Sequence, residues 1–570
     1  MGPFLNVERS LTGRRWVGPD LKVARQGEAI AQATGLPAPL CNVLAKRGVT
    51  PQDADAFLAP TLKDLLPNPR SLRDMEKATA RILAAVKARQ KIAIFADYDV
   101  DGGTSAALII DWLRHFDQSA TLYIPDRIDE GYGPNDEAMA KLAAAHDLII
   151  CVDCGTLSHG PIAAAVGADV VVLDHHLGGE TLPPAHAVVN PNRADETGDL
   201  AHLCAAGVVF LMLVEAGRQL RIDNATGPNL LNMLDLVALG TVADVAPLIG
   251  VNRALVRQGL TVMARRERTG ITALADVSRM DTAPSSYHLG FLLGPRVNAG
   301  GRIGKADLGA RLLATRDPYE AKAMAERLDM LNTERREIEN NVRDAALEQA
   351  EERGFDEPLV WAAGEGWHAG VVGIVASRLK DAAHRPAIVI GFDGDAGKGS
   401  GRSISGVDLG AAIQKLAHEG LIEKGGGHKM AAGLSLSRAQ LEPAMARLSE
   451  LMAKQGAGDA GPADLRLDGM LMPGAAQIEL IEQLEKAGPF GAGAPAPRFA
   501  FPDVELKFTK RVGETHLKIS FGDGLGARID AICFGAMDTP LGPALENHGG
   551  KRFHFAGRLE VNSWGGRQSP

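Results

Sequence analysis

The sequence has little of several features that mark specialised classes of protein. It holds only five cysteines in 570 residues, too few for a disulfide scaffold and typical of a reducing cytoplasm. Its longest apolar run, Ala205 to Val214, is too short to span a membrane, which takes about 20 residues. The amino terminus lacks the continuous apolar core of a signal peptide. We therefore expect a cytoplasmic protein with no membrane partner.

Positive charge is not in excess either. Lys and Arg number 61 against 70 for Asp and Glu, so the net charge is −9. This balance argues against non-specific coating of duplex DNA but leaves room for a local basic groove. With 45% hydrophobic and 23% charged residues, the composition is that of ordinary globular domains. At about 100–200 residues per domain, the length predicts three or four of them.

From Lys91 to Asn190, short β-branched runs alternate with alanine-rich helical stretches. The runs read KIAIFA, TLYIP, LIICVD, DVVVLD and AVVNP. Buried strands separated by helices predict an α/β domain with a parallel sheet. Because right-handed crossovers leave the carboxyl ends of the strands at one edge, that edge is expected to bind ligands.

A long helix is predicted over Pro318–Arg353, as a strut between two domains. Asp317 is its expected N-cap, Glu320 completes a capping box, and Gly354 terminates it. A second α/β unit follows, and after the Gly/Ala/Pro stretch from Gln455 to Pro462 a series of short antiparallel strands predicts an OB-like barrel.

These boundaries predict five parts. They are an N-terminal helical extension at 1–75, a catalytic domain at 76–310, the connecting helix at 311–354, a second α/β domain at 355–455 and an OB-like domain at 456–570. Because the chain ends at GGRQSP, just after a predicted strand, we expect a final strand of the last domain to be missing.

Acidic and imidazole side chains gather where the predicted strands end. The set comprises Asp97, Asp99 and Asp101 in DYDVDG, Asp153 in CVDCGT, Asp174, His175 and His176 in LDHH, and Asp244 in GTVAD. A calcium loop is excluded because Leu108 stands where a bidentate Glu is required and a strand precedes the motif. A solvated surface turn would explain the first triplet alone, but four such sites on one sheet edge favour bound cations.

Carboxylates with one or two imidazoles form a ligand set for Mn²⁺ or Mg²⁺. Two such ions sharing a carboxylate would support metal-assisted hydrolysis of a phosphate ester or anhydride. We expect His175 and His176 to divide the work, one as a ligand and the other on the scissile phosphate or an outer Asp. The C-x-x-C of Cys151 and Cys154 has no second pair, so we expect it to be buried rather than to bind zinc.

The ordered motifs DYDVDG, CVDCGT, DHH and GTVAD resemble the four motifs of the DHH phosphoesterase family. LGPRVNAGGRIGKAD and GGGHKMAAG resemble the core of its single-strand-specific exonucleases and the DHH-associated domain, so the resemblance covers nearly the whole chain. The chain departs from the wider family at Phe95, where a His is common.

The resemblance implies processive 5′-to-3′ hydrolysis of single-stranded DNA to mononucleotides in recombination and repair. It implies a monomer with two Mn²⁺ or Mg²⁺ ions, and single-strand-binding protein and a helicase as partners. The metal ligands implied by motif matching are Asp97, Asp99, Asp101, Asp153, His175 and Asp244. The implied catalytic residues are Asp99, Asp101, Asp153, His175, His176 and Asp244.

An exonuclease that starts at a 5′ end needs an anion pocket beyond the metals. The candidates for substrate binding are Arg127, Arg296, Asn298, Arg302, Ser400, Arg402 and His428. Arg296 and Arg302 are chosen for their Gly-rich cationic segment, whereas Arg127, Ser400, Arg402 and His428 are implied by the resemblance. Ordinary Gly-rich turns with solvated cations are the alternative. Trp367 and His368 are candidates for base stacking or for burial. Lys507, Lys510, Arg511 and Lys518 form either a strand-tracking groove or a solvated basic face.

Two rival functions remain open at the level of sequence. A DHH phosphodiesterase for short RNA or cyclic dinucleotides would share the motifs, but such enzymes usually stop after the second α/β domain. A catalytically inactive DNA-binding scaffold would have no need to keep a repulsive cluster of carboxylates.

Overall fold

The computed structural model describes residues 2–127, 129–458, 463–564 and 567–570. The chain forms two compact units. The first comprises Met1–Leu66, Pro247–Arg257 and Gly461–Pro570, and the second comprises Pro67–Ala246 and Gln258–Ala460. Within the described ranges, no helix has both the length and the apolar character needed to cross a membrane.

The N-terminal segment is mostly helical and belongs to the first unit. Its elements are β1 (Arg15–Val17), α1 (Leu21–Thr34), α2 (Ala38–Lys46), α3 (Ala54–Leu58) and α4 (Leu62–Leu65). Apolar residues of these helices, such as Ile30 and Leu44, share one core with Phe499 and Phe521 of the C-terminal strands. The N-terminal helices therefore contribute to the hydrophobic core of the C-terminal β-domain.

The second unit begins with the predicted alternation of strands and helices. Its elements are α5 (Met75–Lys87), β2 (Ile92–Ala96), α6 (Val100–Arg114), β3 (Ala120–Tyr123), α7 (Asp136–Ala143), β4 (Leu148–Val152), α8 (His159–Ala164), β5 (Asp169–Leu173), β6 (Ala187–Val189) and α9 (Ala205–Ile222). The strands are all parallel, in the order β3-β2-β4-β5-β6. Strands β2 and β4 are buried along their whole length, as their uninterrupted apolar sequences require.

A helical region follows. It contains α10 (Leu234–Ala243), α11 (Gly250–Met263), α12 (Thr269–Val277), a π-helical turn (His288–Leu293), α13 (Gly294–Ile303), α14 (Leu308–Ala314) and α15 (Pro318–Arg353). Helix α15 has the predicted bounds, and the Asp317 carboxylate accepts hydrogen bonds from the N–H groups of Tyr319 and Glu320. Glu320 does not complete the capping box, because its carboxylate instead accepts from the Thr315 hydroxyl at 3.1 Å.

Helix α15 packs on α12, α13 and α14 and then on a second α/β layer. This layer contains β7 (Val360–Glu365), α16 (Ala369–Ala383), β8 (Ala387–Asp393), β9 (Ala396–Arg402), α17 (Leu409–His418), β10 (Lys424–His428), β11 (Ala431–Ser437) and α18 (Leu441–Lys454). The strand order is β10-β11-β9-β8-β7. Helix α16 packs on one face of this sheet, while α17 and α18 pack on the other.

The C-terminal β-domain belongs to the first unit. It contains β12 (Asp464–Arg466), β13 (Gly469–Met470), α19 (Ile478–Glu485), β14 (Phe499–Val512), β15 (His516–Gly522), β16 (Arg528–Cys533), α20 (Leu541–Glu546), β17 (Arg552–Gly557), β18 (Asn562–Trp564) and β19 (Arg567–Ser569). The long strand β14 pairs with β15 along one part and with β17 along another. The register shifts between Leu506 and Phe508 in the first pairing and between Phe501 and Val504 in the second. This curled sheet confirms the predicted OB-like class.

Candidate metal centre and phosphate-binding cleft

Three of the acidic residues follow neighbouring parallel strands at the same edge of the sheet. Ala96 of β2 lies opposite Val152 of β4, which in turn lies opposite Leu173 of β5. The next residue on each strand is therefore Asp97, Asp153 or Asp174. Asp153 adopts a positive φ of 61°, which costs backbone energy in a residue other than glycine and is common at functional sites.

Two further carboxylates belong to the first turn of α6. Asp99 caps this helix, accepting hydrogen bonds from the N–H groups of Asp101 and Gly102 at 2.9 and 3.1 Å. A Cβ atom on Gly102 would lie 2.4 Å from the Asp97 carbonyl oxygen, so the tight turn requires glycine there. Asp101 is fully buried, and its carboxylate accepts from the N–H groups at the start of α9 at 2.6 and 2.9 Å.

Asp244 reaches the cluster from a helix. We expected it at the sheet edge with the other carboxylates, but it is the residue that ends α10. The apolar run before it is a helix buried on nearly all sides, which hydrophobicity alone does not distinguish from a buried strand. Close packing at Gly240, where a Cβ would lie 2.9 Å from an Asp101 carboxylate oxygen, brings α10 to the cluster.

His175 lies at the centre of the cluster. Its Nε2 is 3.2 Å from Asp153 Oδ1 and 3.8 Å from an oxygen of both Asp101 and Asp244. Although His175 Nε2 and Asp153 Oδ1 are 3.2 Å apart, neither of these buried atoms nor Asp97 Oδ1 forms a hydrogen bond of suitable geometry with a described residue. Because buried polar atoms are seldom left without a partner, these atoms are suited to coordinate cations.

The ligand atoms form three overlapping groups, and within each group they lie within 4.8 Å of one another. The groups are Asp153–His175–His176, Asp101–His175–Asp244 and Asp97–Asp99–Asp153. Since Asp153 and His175 each belong to two groups, they are placed to serve neighbouring ions. The carboxylate and imidazole donors suit Mn²⁺ or Mg²⁺.

The electrostatics of the cluster also favour cations. Burial, together with the charge of neighbouring carboxylates, raises the pKa of both Asp97 and Asp153 well above the usual range. Burial and the charges of Asp101, Asp99 and Asp97 raise the pKa of Asp244 to about 9. Without a cation, these carboxyl groups would need to bind protons to lie so close together.

Asp174 belongs to none of the three metal-ligand groups, and it holds the second histidine. It is buried and accepts hydrogen bonds from the Thr156 hydroxyl at 2.6 Å, from the N–H of His175 at 2.8 Å and from Nδ1 of His176 at 2.8 Å. Burial opposes its ionisation, but the His176 hydrogen bond and charge outweigh that effect and hold the pKa of Asp174 below its usual range. Burial likewise opposes protonation of His176, but Asp174 raises the pKa of that imidazole.

Thr156, Tyr132 and Asn190 were not among the site residues predicted from the sequence, and Asp174 had no definite predicted role. Asn190 donates to the Thr156 hydroxyl and to the His176 carbonyl, both at 2.8 Å, and the Tyr132 hydroxyl lies 3.0 Å from His176 Nδ1. Asn190 and Asp174 immediately follow β6 and β5, and Thr156 follows β4 by four residues, so nearness to a strand end is the signal that the sequence carries for them. Tyr132 lies in the connection between β3 and α7, where the sequence carries no such signal.

A cleft of about 300 Å³ adjoins the metal-ligand groups. It is lined by Asp97, Tyr98, Asp99, Arg127, Ala243, Asp244, Asn298 and Arg302. Asn298 accepts a hydrogen bond from the N–H of Val100 at 3.1 Å, which joins α13 to the start of α6. Two of the predicted phosphate-binding cations, Arg127 and Arg302, therefore line the same cleft as the carboxylates.

A third cation lies nearby. Arg402 donates to the Ser400 hydroxyl at 2.9 Å, and a Cβ on Gly373 of α16 would lie about 3 Å from both side chains. Arg302 donates to the carbonyl oxygen of Gly370 in the same helix at 2.8 Å. Burial, with the positive charge of Arg127, lowers the pKa of both Arg302 and Arg402.

None of Arg127, Arg302 and Arg402 forms an ion pair with a carboxylate of the described residues. Three neighbouring guanidinium groups, none of them within 4 Å of a carboxylate of the described residues, create a site for an anion such as a phosphate.

Other candidates lie elsewhere. Arg296 is paired with Asp329 of α15 at 2.8 Å. His428 is exposed at the end of β10, and β11 separates it from Arg402 of β9 in the same sheet.

The candidates for base stacking and strand tracking also make contacts within the protein. The Trp367 ring packs against Gly364 of β7, and His368 caps α16. In the C-terminal domain, Lys507, Lys518 and Arg511 are each paired with a carboxylate.

Three family models match the chain. The DHH family N-terminal domain matches residues 91–241, the DHHA1 domain matches residues 356–454, and the RecJ OB domain matches residues 467–570. Among curated proteins, the single-stranded-DNA-specific exonuclease RecJ of Dickeya dadantii is 39% identical, over 94% of this chain and 95% of that protein. The Escherichia coli protein of the same name is 37% identical, over 94% of each chain.

Solved structures agree with these matches. RecJ from Thermus thermophilus in complex with Mn²⁺ superposes with a TM-score of 0.81 at 28% identity, covering 97% of this chain and 78% of that one. The same protein in complex with Mg²⁺ gives a TM-score of 0.76 at 28% identity, with 97% and 76% covered.

Proposed function

This chain belongs to the RecJ family of single-stranded-DNA-specific exonucleases, and we propose that it hydrolyses single-stranded DNA from the 5′ end to mononucleotides in recombination and repair. One observation carries the proposal. Three of the candidate metal ligands, Asp97, Asp99 and Asp244, line the same cleft as Arg127 and Arg302, next to Arg402. Ligands for cations and a pocket for a phosphate thus lie side by side.

The donor set fits two divalent cations, and its members are Asp97, Asp99, Asp101, Asp153, His175 and Asp244. When bound, Mn²⁺ or Mg²⁺ supplies an activated water at neutral pH and positive charge for the phosphoryl oxygens. The chain holds these ligands by main-chain contacts: Asp99 through the first turn of α6, and Asp101 through the start of α9. Fixed ligands of this kind need little rearrangement when cations bind.

His176 is assigned to the scissile phosphate. Its Nδ1 is held by Asp174 at 2.8 Å, and its side chain is 36% exposed. Its Nε2 lies 3.3 Å from the Tyr132 hydroxyl, and we assign this nitrogen to a phosphate oxygen that would take the place of that contact. Because Asp174 raises the pKa of His176, a larger share of the imidazole is protonated at neutral pH. A protonated imidazole stabilises the charge that develops on the phosphate in the transition state.

The 5′-terminal phosphate is assigned to Arg127, Arg302, Arg402 and Ser400. Guanidinium groups bind phosphate through two parallel hydrogen bonds, and a terminal phosphate presents more oxygen atoms than a phosphate within the strand. A pocket that prefers the end would place the first phosphodiester bond at the cations. Hydrolysis would then proceed 5′ to 3′, with release of one nucleotide at a time.

The five-part division of the chain given above is part of this proposal, with the OB-like domain binding the strand beyond the scissile bond. The match of that domain to the RecJ OB domain favours this function over hydrolysis of short RNA or cyclic dinucleotides. A monomeric state, a cytoplasmic location and association with single-strand-binding protein and a helicase are proposed on family membership. The five unpaired cysteines support the cytoplasmic location.

The Asp153→Ala variant tests the assignment. We expect it to lose Mn²⁺-dependent release of mononucleotides from a 5′-phosphorylated single strand, because Asp153 belongs to two of the ligand groups. Binding of the same oligonucleotide should persist, since the three arginines remain. Asp344→Ala, which removes an exposed carboxylate of α15, is the matched control and should keep full activity.

Retained activity in Asp153→Ala would refute the metal centre. Faster hydrolysis of a dinucleotide than of a long strand by the unaltered protein would instead favour the short-RNA phosphodiesterase.

A further inference from the structure

Tyr98 lies between two candidate metal ligands, Asp97 and Asp99, and its side chain lines the cleft. The Cζ atom of Arg127 lies 5.1 Å from the centre of the Tyr98 ring, within the range of a cation–π contact. No carboxylate in the described ranges forms an ion pair with Arg127. The aromatic ring is thus a direct contact of this guanidinium and can fix its position.

The main chain of Tyr98 is itself fixed. A Cβ on Gly301 would lie 2.7 Å from the Tyr98 carbonyl oxygen, so α13 packs closely against this peptide. Asn298, on the same helix, accepts the hydrogen bond from Val100. The next residue of α13 after Gly301 is Arg302, so the Tyr98 loop is joined to the second cation of the pocket as well.

The charge state of the phenol suits this contact. The pKa of a Tyr hydroxyl is ordinarily about 10. The hydroxyl is therefore neutral at physiological pH, and the interaction with Arg127 is that of a cation with a neutral ring.

We propose that Tyr98 is a positioning residue for recognition of the 5′-phosphate: its ring holds the Arg127 guanidinium and ties it to the loop that carries Asp97 and Asp99. This inference rests on the proposed function, because it assigns Arg127 to the terminal phosphate. One loop then sets the separation between the phosphate pocket and the metal ligands. That separation determines which phosphodiester bond reaches the metals.

Replacement of a residue that only packs would change KM for both substrates equally. The test therefore compares 5′-phosphorylated and 5′-hydroxyl single strands of one sequence. Tyr98→Leu removes the ring, and Tyr98→Phe keeps it. The loss of a cation–π contact should raise KM for the 5′-phosphorylated strand by about two- to thirty-fold. It should leave KM for the 5′-hydroxyl strand unchanged, and Tyr98→Phe should behave as the unaltered protein. Tyr98→Met, a second variant without a ring, serves if Tyr98→Leu does not fold.

A double-mutant cycle identifies the route of the effect. If Tyr98 acts through Arg127, the double variant Tyr98→Leu/Arg127→Met should have the same ratio of KM values for the two strands as Arg127→Met alone. Trp361→Leu is the matched control, because it removes the ring that lies 3.9 Å from Arg353 outside the cleft. Its ratio of KM values should equal that of the unaltered protein.

Two results would overturn the inference while the proposed function stands: equal loss on both strands in Tyr98→Leu, or additive losses in the double variant. An unaltered protein with no preference for the 5′-phosphate would instead remove the phosphate pocket from the proposed function, and the inference with it.

Discussion

Replacement of Asp244 by Asn should stabilise the protein in the absence of metal and abolish its activity. Burial and the neighbouring carboxylates raise the pKa of Asp244 to about 9. In the unfolded chain, the pKa of an Asp is about 3.9. Since the raised value belongs to the folded state, the protein must bind a proton on folding at any pH between the two values.

The size of the effect follows from the pH. At pH 7, Asp244 lowers the free energy of unfolding of the metal-free protein by at most about 4 kcal/mol. This is the free energy needed to protonate a carboxylate whose pKa in the unfolded chain is about 3.9. It increases as the pH rises from about 4 towards 9, so stability of the metal-free protein should fall over this window. An Asn side chain bears no charge and removes this contribution.

Thermal unfolding in EDTA at pH 6, 7 and 8 measures the effect. We expect the Tm of Asp244→Asn to exceed that of the unaltered protein, by more at pH 8 than at pH 6. Added Mn²⁺ should raise the Tm of the unaltered protein more than that of the variant, because the variant lacks one ligand. Asp344→Asn, at an exposed position on α15, is the control and should show no such pH-dependent gain. An Asp244→Asn protein with an equal or lower Tm in EDTA at pH 8 would refute the reasoning.

Three other substitutions test separate parts of the site. Asp174→Asn should reduce activity or Mn²⁺ affinity by about 10–100-fold because it releases His176, and a Mn²⁺ titration of the rate would show no change if the contact is dispensable. Arg302→Met should abolish the preference for a 5′-phosphate, whereas Arg296→Met, whose arginine is paired with a carboxylate on α15, should not; equal KM ratios in both would contradict the assignment. Gly102→Ala should displace the Asp97 carbonyl and weaken Mn²⁺ binding, and unaltered Mn²⁺ affinity by calorimetry would count against the close contact.

Local sequence patterns predicted the strands of the parallel sheet and the bounds of α15. Uninterrupted apolar runs such as LIICV are buried strands here, and Asp317 and Pro318 mark a helix start through contacts within one turn. These signals depend on residues adjacent in sequence, so they can be recognised without tertiary information.

Contacts between distant segments were not predictable in the same way. Arg296 remains a predicted phosphate ligand, but the sequence did not predict that Asp329, 33 residues further on, pairs with it. Asp244 was grouped with the strand ends, whereas a buried helix supplies it. The Tyr98–Arg127 contact and the Asp174–His176 pair depend on side-chain direction, which periodicity does not specify.

The central claim is that the chain removes nucleotides from the 5′ end of single-stranded DNA in a metal-dependent reaction. The most direct test follows one single-stranded oligonucleotide, labelled at its 5′ end or at its 3′ end, in Mn²⁺ and in EDTA. We predict that the 5′ label appears first as a mononucleotide while the 3′ label passes through progressively shorter strands, and that EDTA stops both. Early release of the 3′ label as a mononucleotide, or equal degradation in EDTA, would contradict the account.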